Sequence, residues 1–296
     1  MKSSLHCLPC FLQQTIKAAS LSTPDPLLQK KIVDAVALLL PSLDLNKTPP
    51  ENSMPVYETI AELSGCADPF LGLKQESNNL ARQLMADIEK KISASADPLA
   101  TALLFSIAGN IIDYGSQQNF DAEKTLRQCL ATPLAINDYH NLRHDLNNSR
   151  LLLYLADNAG EIVFDSLVVQ ELQRLWPPLE IVFVVKERPI INDALAADAQ
   201  ACGIPARCTV ISNGTACPGT PLADCSAELQ DLFAAADVII SKGQGNYETL
   251  SETGGPLYFL LTVKCPLVGR HIAEQSGVTP AKGDLVLMQG RGPRTG

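Results

Sequence analysis

From Ser149 onward the chain alternates short β-rich runs with amphipathic helical stretches. That alternation restricts it to an α/β architecture with a mainly parallel sheet. The runs fall at residues 151–155, 181–185, 210–211, 238–240, 258–263 and 285–288, with helical stretches at 163–175, 192–201 and 227–236 between them. Ahead of about Asn148 the periodicity is helical instead: Leu80, Leu84, Ile88 and Ile92 recur every four residues with charges between them. The expected organisation is an N-terminal all-helical subdomain over 1–148 and an α/β domain over 149–296.

In open α/β sheets, ligands bind beyond the carboxyl ends of the strands, where the next helix presents free N–H groups. The first run, LLLYL, leads straight into Asp157-Asn158-Ala159-Gly160-Glu161. A carboxylate beside an amide oxygen is a hard donor pair suited to Mg²⁺, Mn²⁺ or a similar divalent ion. It is equally good helix-capping chemistry. A second strand end carries Asn192-Asp193, and a third carries Lys242-Gly243-Gln244-Gly245-Asn246. Glycines there admit a close anion, and a lysine supplies a compact positive charge. The lysine precedes the glycines, so this is no Walker loop, and Glu248 stands where a dinucleotide fingerprint needs its third glycine. Lys264 ends a fourth strand, where a solvated strand end and a site role fit equally well. In the helical half, Asn110 and Asp113 share a helix face among Ile107, Ile111 and Ile112, a costly placement unless the pair is bonded or functional.

Charge and cysteine usage narrow the function. A formal charge of -9 opposes broad nucleic-acid binding, which needs clustered lysine and arginine. No apolar run reaches the ~18 residues of a membrane span. Nine cysteines in a chain of 296 residues are an odd number without a miniprotein's density, which favours a reducing cytoplasm. Cys7-Leu-Pro-Cys10, with His6 beside it, has metal or redox spacing, but a second such pair is missing. Free thiols packed beside a helix start fit the same residues.

Taken in order, CxxC, GNIIDYG, DNAGE, RPIINDAL, SKGQGNYETL and VKCP span Cys7 to about Asp284. This set resembles the damage-control phosphatase family, the ARMT-like group long filed as a domain of unknown function, and most closely its prokaryotic branch. The resemblance implies a three-layer α/β/α sandwich behind a helical portion. It also implies a divalent metal ion (Mn, Ni, Co or Mg) and hydrolysis of phosphate monoesters of small, damaged or surplus metabolites such as sugar or cofactor phosphates. Carried over residue by residue, it makes Asp157, Asn158 and Asp193 metal ligands and Lys242 the contact to the substrate phosphate, with Gly243, Gly245 and Asn246 around it. Glu161, Asn110 and Asp113 become pocket formers. Asp157, Asp193 and Lys242 are then the expected catalytic groups, and a small phosphorylated metabolite is the expected partner. Two other readings suit such a chain: an S-adenosylmethionine-dependent carboxyl methyltransferase, and a non-catalytic binder of metal or phosphometabolite. A missing glycine-rich turn after the first strand weighs against the methyltransferase.

Overall fold

A computed structural model describes residues 1–112 and 130–291, with the backbone alone at 110–112. Seven strands form one sheet in the order β1-β7-β6-β5-β2-β3-β4, parallel throughout except where β6 meets β7. The strands are β1 (Ile136–Asn137), β2 (Leu151–Leu155), β3 (Glu180–Val185), β4 (Thr209–Ser212), β5 (Val238–Lys242), β6 (Leu257–Thr262) and β7 (Leu285–Gln289). Six match the runs expected from sequence. The seventh, β1, is too short to leave a pattern, and it joins the sheet by pairing Ile136 with Val286.

Because parallel strands are covered on both faces, they read as continuous apolar runs rather than as alternations. Alternate side chains nevertheless enter different cores. Leu152, Tyr154, Phe183 and Ile240 point to one layer, where helices α4 (Leu71–Ala94), α5 (Pro98–Ile112), α6 (Tyr139–Leu146) and α7 (Glu161–Leu175) lie. Leu153, Leu155, Val184, Ile239 and Phe259 point to the other, with α9 (Ala227–Ala235), α10 (Gly243–Leu250) and α11 (Pro266–Ser276). The result is a three-layer α/β/α sandwich, and a short α8 (Ala196–Ala201) leads into β4.

Three N-terminal helices, α1 (Leu8–Ser22), α2 (Pro26–Leu39) and α3 (Pro49–Ser64), pack around Phe11, Ile32, Val36, Val56 and Ile60. Ile191 and Leu267 of the α/β half press against this third core, so the helices sit over the carboxyl ends of the strands. Proline at the first turn of each helix and a Thr48/Glu51 capping box on α3 set their starts. Among the described residues no helix is long and apolar enough to cross a membrane.

Candidate active site at the strand ends

Asp157 and Asn158 follow β2, and Asp193 follows β3, its neighbour in the sheet. Backbone hydrogen bonds clip the two turns together. Ala194 N donates to Asp157 O at 2.8 Å, Ala159 N donates to Asn192 O at 2.9 Å, and Asn158 bridges Asp193 in antiparallel fashion. Short turns that order themselves on one another in this way bring two carboxylates and an amide to one point without long side chains to fix. The Asn158 amide nitrogen donates to Asp157 Oδ2 at 2.6 Å and to Glu161 Oε2 at 3.4 Å. That commits the nitrogen and leaves the amide oxygen as the atom for a cation.

Both carboxylates are buried, and burial is the main reason their pKa values are raised. Asp193 adds to the shift on Asp157, while Lys264 and Lys186 oppose it on both. Asp193 Oδ2 has no hydrogen-bond donor, and its nearest cation, Lys186 Nζ, stands 3.8 Å away. A buried acceptor without a donor beside a second raised carboxylate is the electrostatic signature of a site that gains by holding a cation. The donors are all oxygen, which fits a hard divalent ion. Among the described residues no three His, Cys, Asp or Glu side chains form a ligand cluster, so two carboxylates and an amide are the set on offer here.

These residues open into a cleft of about 780 Å³. Asp157, Asn158, Asp193 and Gly245 line it. Lys242, Gly243, Asn246 and Glu161 lie behind its wall. Lys242 Nζ is fully buried and donates to Ser106 O at 3.1 Å, to Asp165 Oδ1 at 2.8 Å and to Glu161 Oε1. Burial disfavours its charge, but Asp165 and Glu161 outweigh that and raise its pKa. All three of its protons are spoken for, so in this geometry the phosphate contact expected of Lys242 has no donor left to make it. Its role here is to neutralise two acids on one face of α7. Asn246 is likewise a bolt: its amide nitrogen donates to Ala156 O and Lys242 O, and its oxygen accepts from Thr220 Oγ1.

The segment read as a glycine loop is the first turn of α10. Gly243 has φ +79, and a Cβ there would stand 2.0 Å from Asp157 Oδ2. Gly245 lets Pro218 O approach to 1.8 Å from where a Cβ would be. Close packing, rather than anion access, therefore explains both glycines. The side chain of Asn110 and the whole of Asp113 lie outside the described residues.

The cationic groups that face the carboxylates are ones the sequence left ambiguous or passed over. Lys264 lines the cleft. Its backbone N–H is fixed by Gln244 Oε1 at 3.0 Å, and Gln244 also donates to Glu248. Lys186, next after β3, is buried and donates to Gly219 O at 2.6 Å. Glu248 lines the cleft too, its carboxyl pushed up to about 7, chiefly by burial. His6, Cys7 and Cys10 border the same cleft, and the eight cysteines among the described residues are all free. Cys7 accepts from Ser4 N, and Cys10 donates to His6 O.

Known proteins resemble this chain over almost its whole length. Residues 3–278 match the family model described as the damage-control phosphatase ARMT1-like domain. The chain is 32% identical over 294 residues to a damage-control phosphatase of Pyrococcus horikoshii, covering 98% of this chain and 99% of that one. It is 33% identical over 289 residues to one of Archaeoglobus fulgidus, covering 95% and 99%. The crystal structure of a DUF89 family protein from Pyrococcus horikoshii superimposes with a TM-score of 0.89 at 33% identity, over 98% of this chain and all of that one. The chain belongs to the ARMT1-like damage-control phosphatase family.

Proposed function

We propose that this protein is a metal-dependent phosphatase that hydrolyses phosphate monoesters of small, damaged or surplus metabolites in the cytoplasm. The observation that carries this reading is the pair of buried carboxylates, Asp157 and Asp193, clipped together at the cleft floor with Asp193 Oδ2 lacking a donor. Asp157, Asn158 and Asp193 would hold Mg²⁺, Mn²⁺, Co²⁺ or Ni²⁺, which when bound supplies charge neutralisation for the transferring phosphoryl group. The relatives' shared name, damage-control phosphatase, supports the same chemistry.

The chain's own groups divide the remaining work. Lys264 presents its ammonium to the phosphoryl oxygens, the part that the enclosed Lys242 leaves open. Asp157 or Asp193 takes the proton of the attacking water. Glu248, with a pKa near neutrality, gives a proton to the departing alkoxide oxygen. Free cysteines suit a reducing compartment, and the net charge of -9 suits a small ligand rather than nucleic acid.

The test is release of orthophosphate from a panel of sugar and cofactor phosphates by metal-stripped protein, with each of the four metals added back. Metal-restored turnover supports the reading. No turnover with any ester, together with tight metal binding, would replace it with a non-catalytic binder.

A further inference from the structure

The cleft is much larger than the group it would cleave. A phosphoryl group fills roughly the space of two or three waters at ~30 Å³ each, whereas about 780 Å³ lies in the range that takes drug-sized ligands. Its two walls differ in chemistry. One carries the carboxylates and Lys264. The other comes from α1, α3 and α4 and presents Phe11, Tyr57, Phe70, Leu73 and Leu80. Gln13, Gln14, Lys17 and Glu76 stand among these apolar side chains, so the wall suits a leaving group that pairs an apolar body with a few polar groups.

Behind that wall lies a second cavity of about 240 Å³. Tyr57, Phe70 and Ile191 line both spaces and form the partition between them. Phe70 is buried in the N-terminal helical core. Ile191 is held at φ 43, an uncommon conformation for a β-branched residue, two positions before Asp193. Tyr57, half-buried like Ile191, is anchored through its hydroxyl to Gln14 Oε1 at 3.3 Å. Tyr57 lines the same cleft as Asp157, Asn158 and Asp193, and burial keeps its phenol neutral.

Resting on the phosphatase reading above, we propose that Tyr57 determines substrate specificity. Its ring closes off the leaving-group site, so that the cleft takes phosphate monoesters of an amphipathic alcohol with a compact aromatic or branched apolar body and excludes longer ones. Opening the partition joins the two cavities and admits the longer bodies.

The experiment measures kcat/KM for 4-biphenylyl phosphate and p-nitrophenyl phosphate with wild type, Tyr57→Phe and Tyr57→Ala. Their ratio cancels whatever each variant does to the chemical step. In Tyr57→Ala the ratio should rise roughly 10-fold, carried by KM of the biphenylyl ester, which is the scale of small changes in an apolar pocket. Tyr57→Phe, which keeps the ring and loses the Gln14 bond, should stay at the wild-type ratio. An unchanged ratio in Tyr57→Ala overturns the proposal, as does an equal shift in Tyr57→Phe. Should Tyr57→Ala fail to fold, Tyr57→Leu, which fills part of the helical core, is read by the same criterion. If no variant hydrolyses either ester, the phosphatase reading fails and this inference falls with it.

Discussion

Substituting Gly243 by alanine separates the cost of a backbone conformation from the cost of moving a proposed metal ligand. Gly243 has φ +79, and holding an L-residue in that region costs about 1–2 kcal/mol. The added Cβ would also stand 2.0 Å from Asp157 Oδ2 and 2.1 Å from its Cγ, against a floor of 3.0 Å for real contacts. Asp157 must therefore retreat by about 1 Å, well outside the ~0.2 Å tolerance of a metal–ligand distance. Gly203→Ala supplies the control, because Gly203 has φ +73 with nothing within 4 Å. Urea denaturation should show Gly203→Ala losing about 1–2 kcal/mol, with Mn²⁺ affinity and turnover at the wild-type level. Gly243→Ala should lose at least as much stability, and its Mn²⁺ affinity by calorimetry should fall by at least ~10-fold. If Gly243→Ala matches Gly203→Ala in metal affinity and turnover, Asp157 is not a ligand held by this contact.

Other outcomes follow from the buried charges. Lys242→Met leaves Glu161 and Asp165 buried without their cation and should cost about 3–5 kcal/mol in chemical denaturation; unchanged stability with a raised KM would instead return Lys242 to the phosphate. Lys264→Met should raise KM for phosphate esters and lower the melting temperature of the metal-free protein at neutral pH, because Lys264 lines the cleft and offsets the buried charge of Asp157 and Asp193; an unchanged KM would remove it from the phosphate site. Glu248→Gln should lower kcat roughly 100-fold for 2-phenylethyl phosphate, whose alkoxide needs a proton, and leave p-nitrophenyl phosphate little changed; equal losses on both would remove Glu248 as the acid. Glu248 titrates near 7 when folded and near 4.5 when unfolded, and burial raises Asp157 and Asp193 in the same direction. These groups favour the folded state below their unfolded pKa values and lose that contribution as pH rises toward neutrality. Metal-free protein should therefore melt at a lower temperature at pH 8 than at pH 5, and added Mn²⁺ should recover most of the difference; a flat metal-free profile would contradict the burial of these acids.

What the sequence showed and what it hid have physical reasons. DNAGE and Asn192-Asp193 were legible because an apolar run that ends in hard donors at a strand-to-helix turn has few structural uses, and neighbouring strands bring such turns together. Lys242 was ambiguous because a lysine at a strand end can point outward or back into the fold, and one residue cannot say which. The missed signal lay elsewhere, in Glu161 and Asp165, which stand four apart among Ile162, Val163, Phe164, Leu167 and Val168 on a buried helix face and require a cation between them. Gly243 and Gly245 read as a loop because glycine is a poor helix former, yet contacts with Asp157 and Pro218 override that preference. Lys186 carried no pattern of its own; only the fold brings it beside Asp193 and Gly219. Tyr57 lies more than a hundred residues before Ile191 and Asp193, with which it lines the cleft, and no local spacing connects them.

The most direct test of the central claim is anomalous diffraction from crystals grown with Mn²⁺, collected above and below the manganese edge. The account predicts one strong peak enclosed by Asp157, Asn158 and Asp193 at ordinary metal–oxygen distances, absent in Asp157→Ala crystals. A peak elsewhere in the cleft, or none at saturating Mn²⁺, would contradict it.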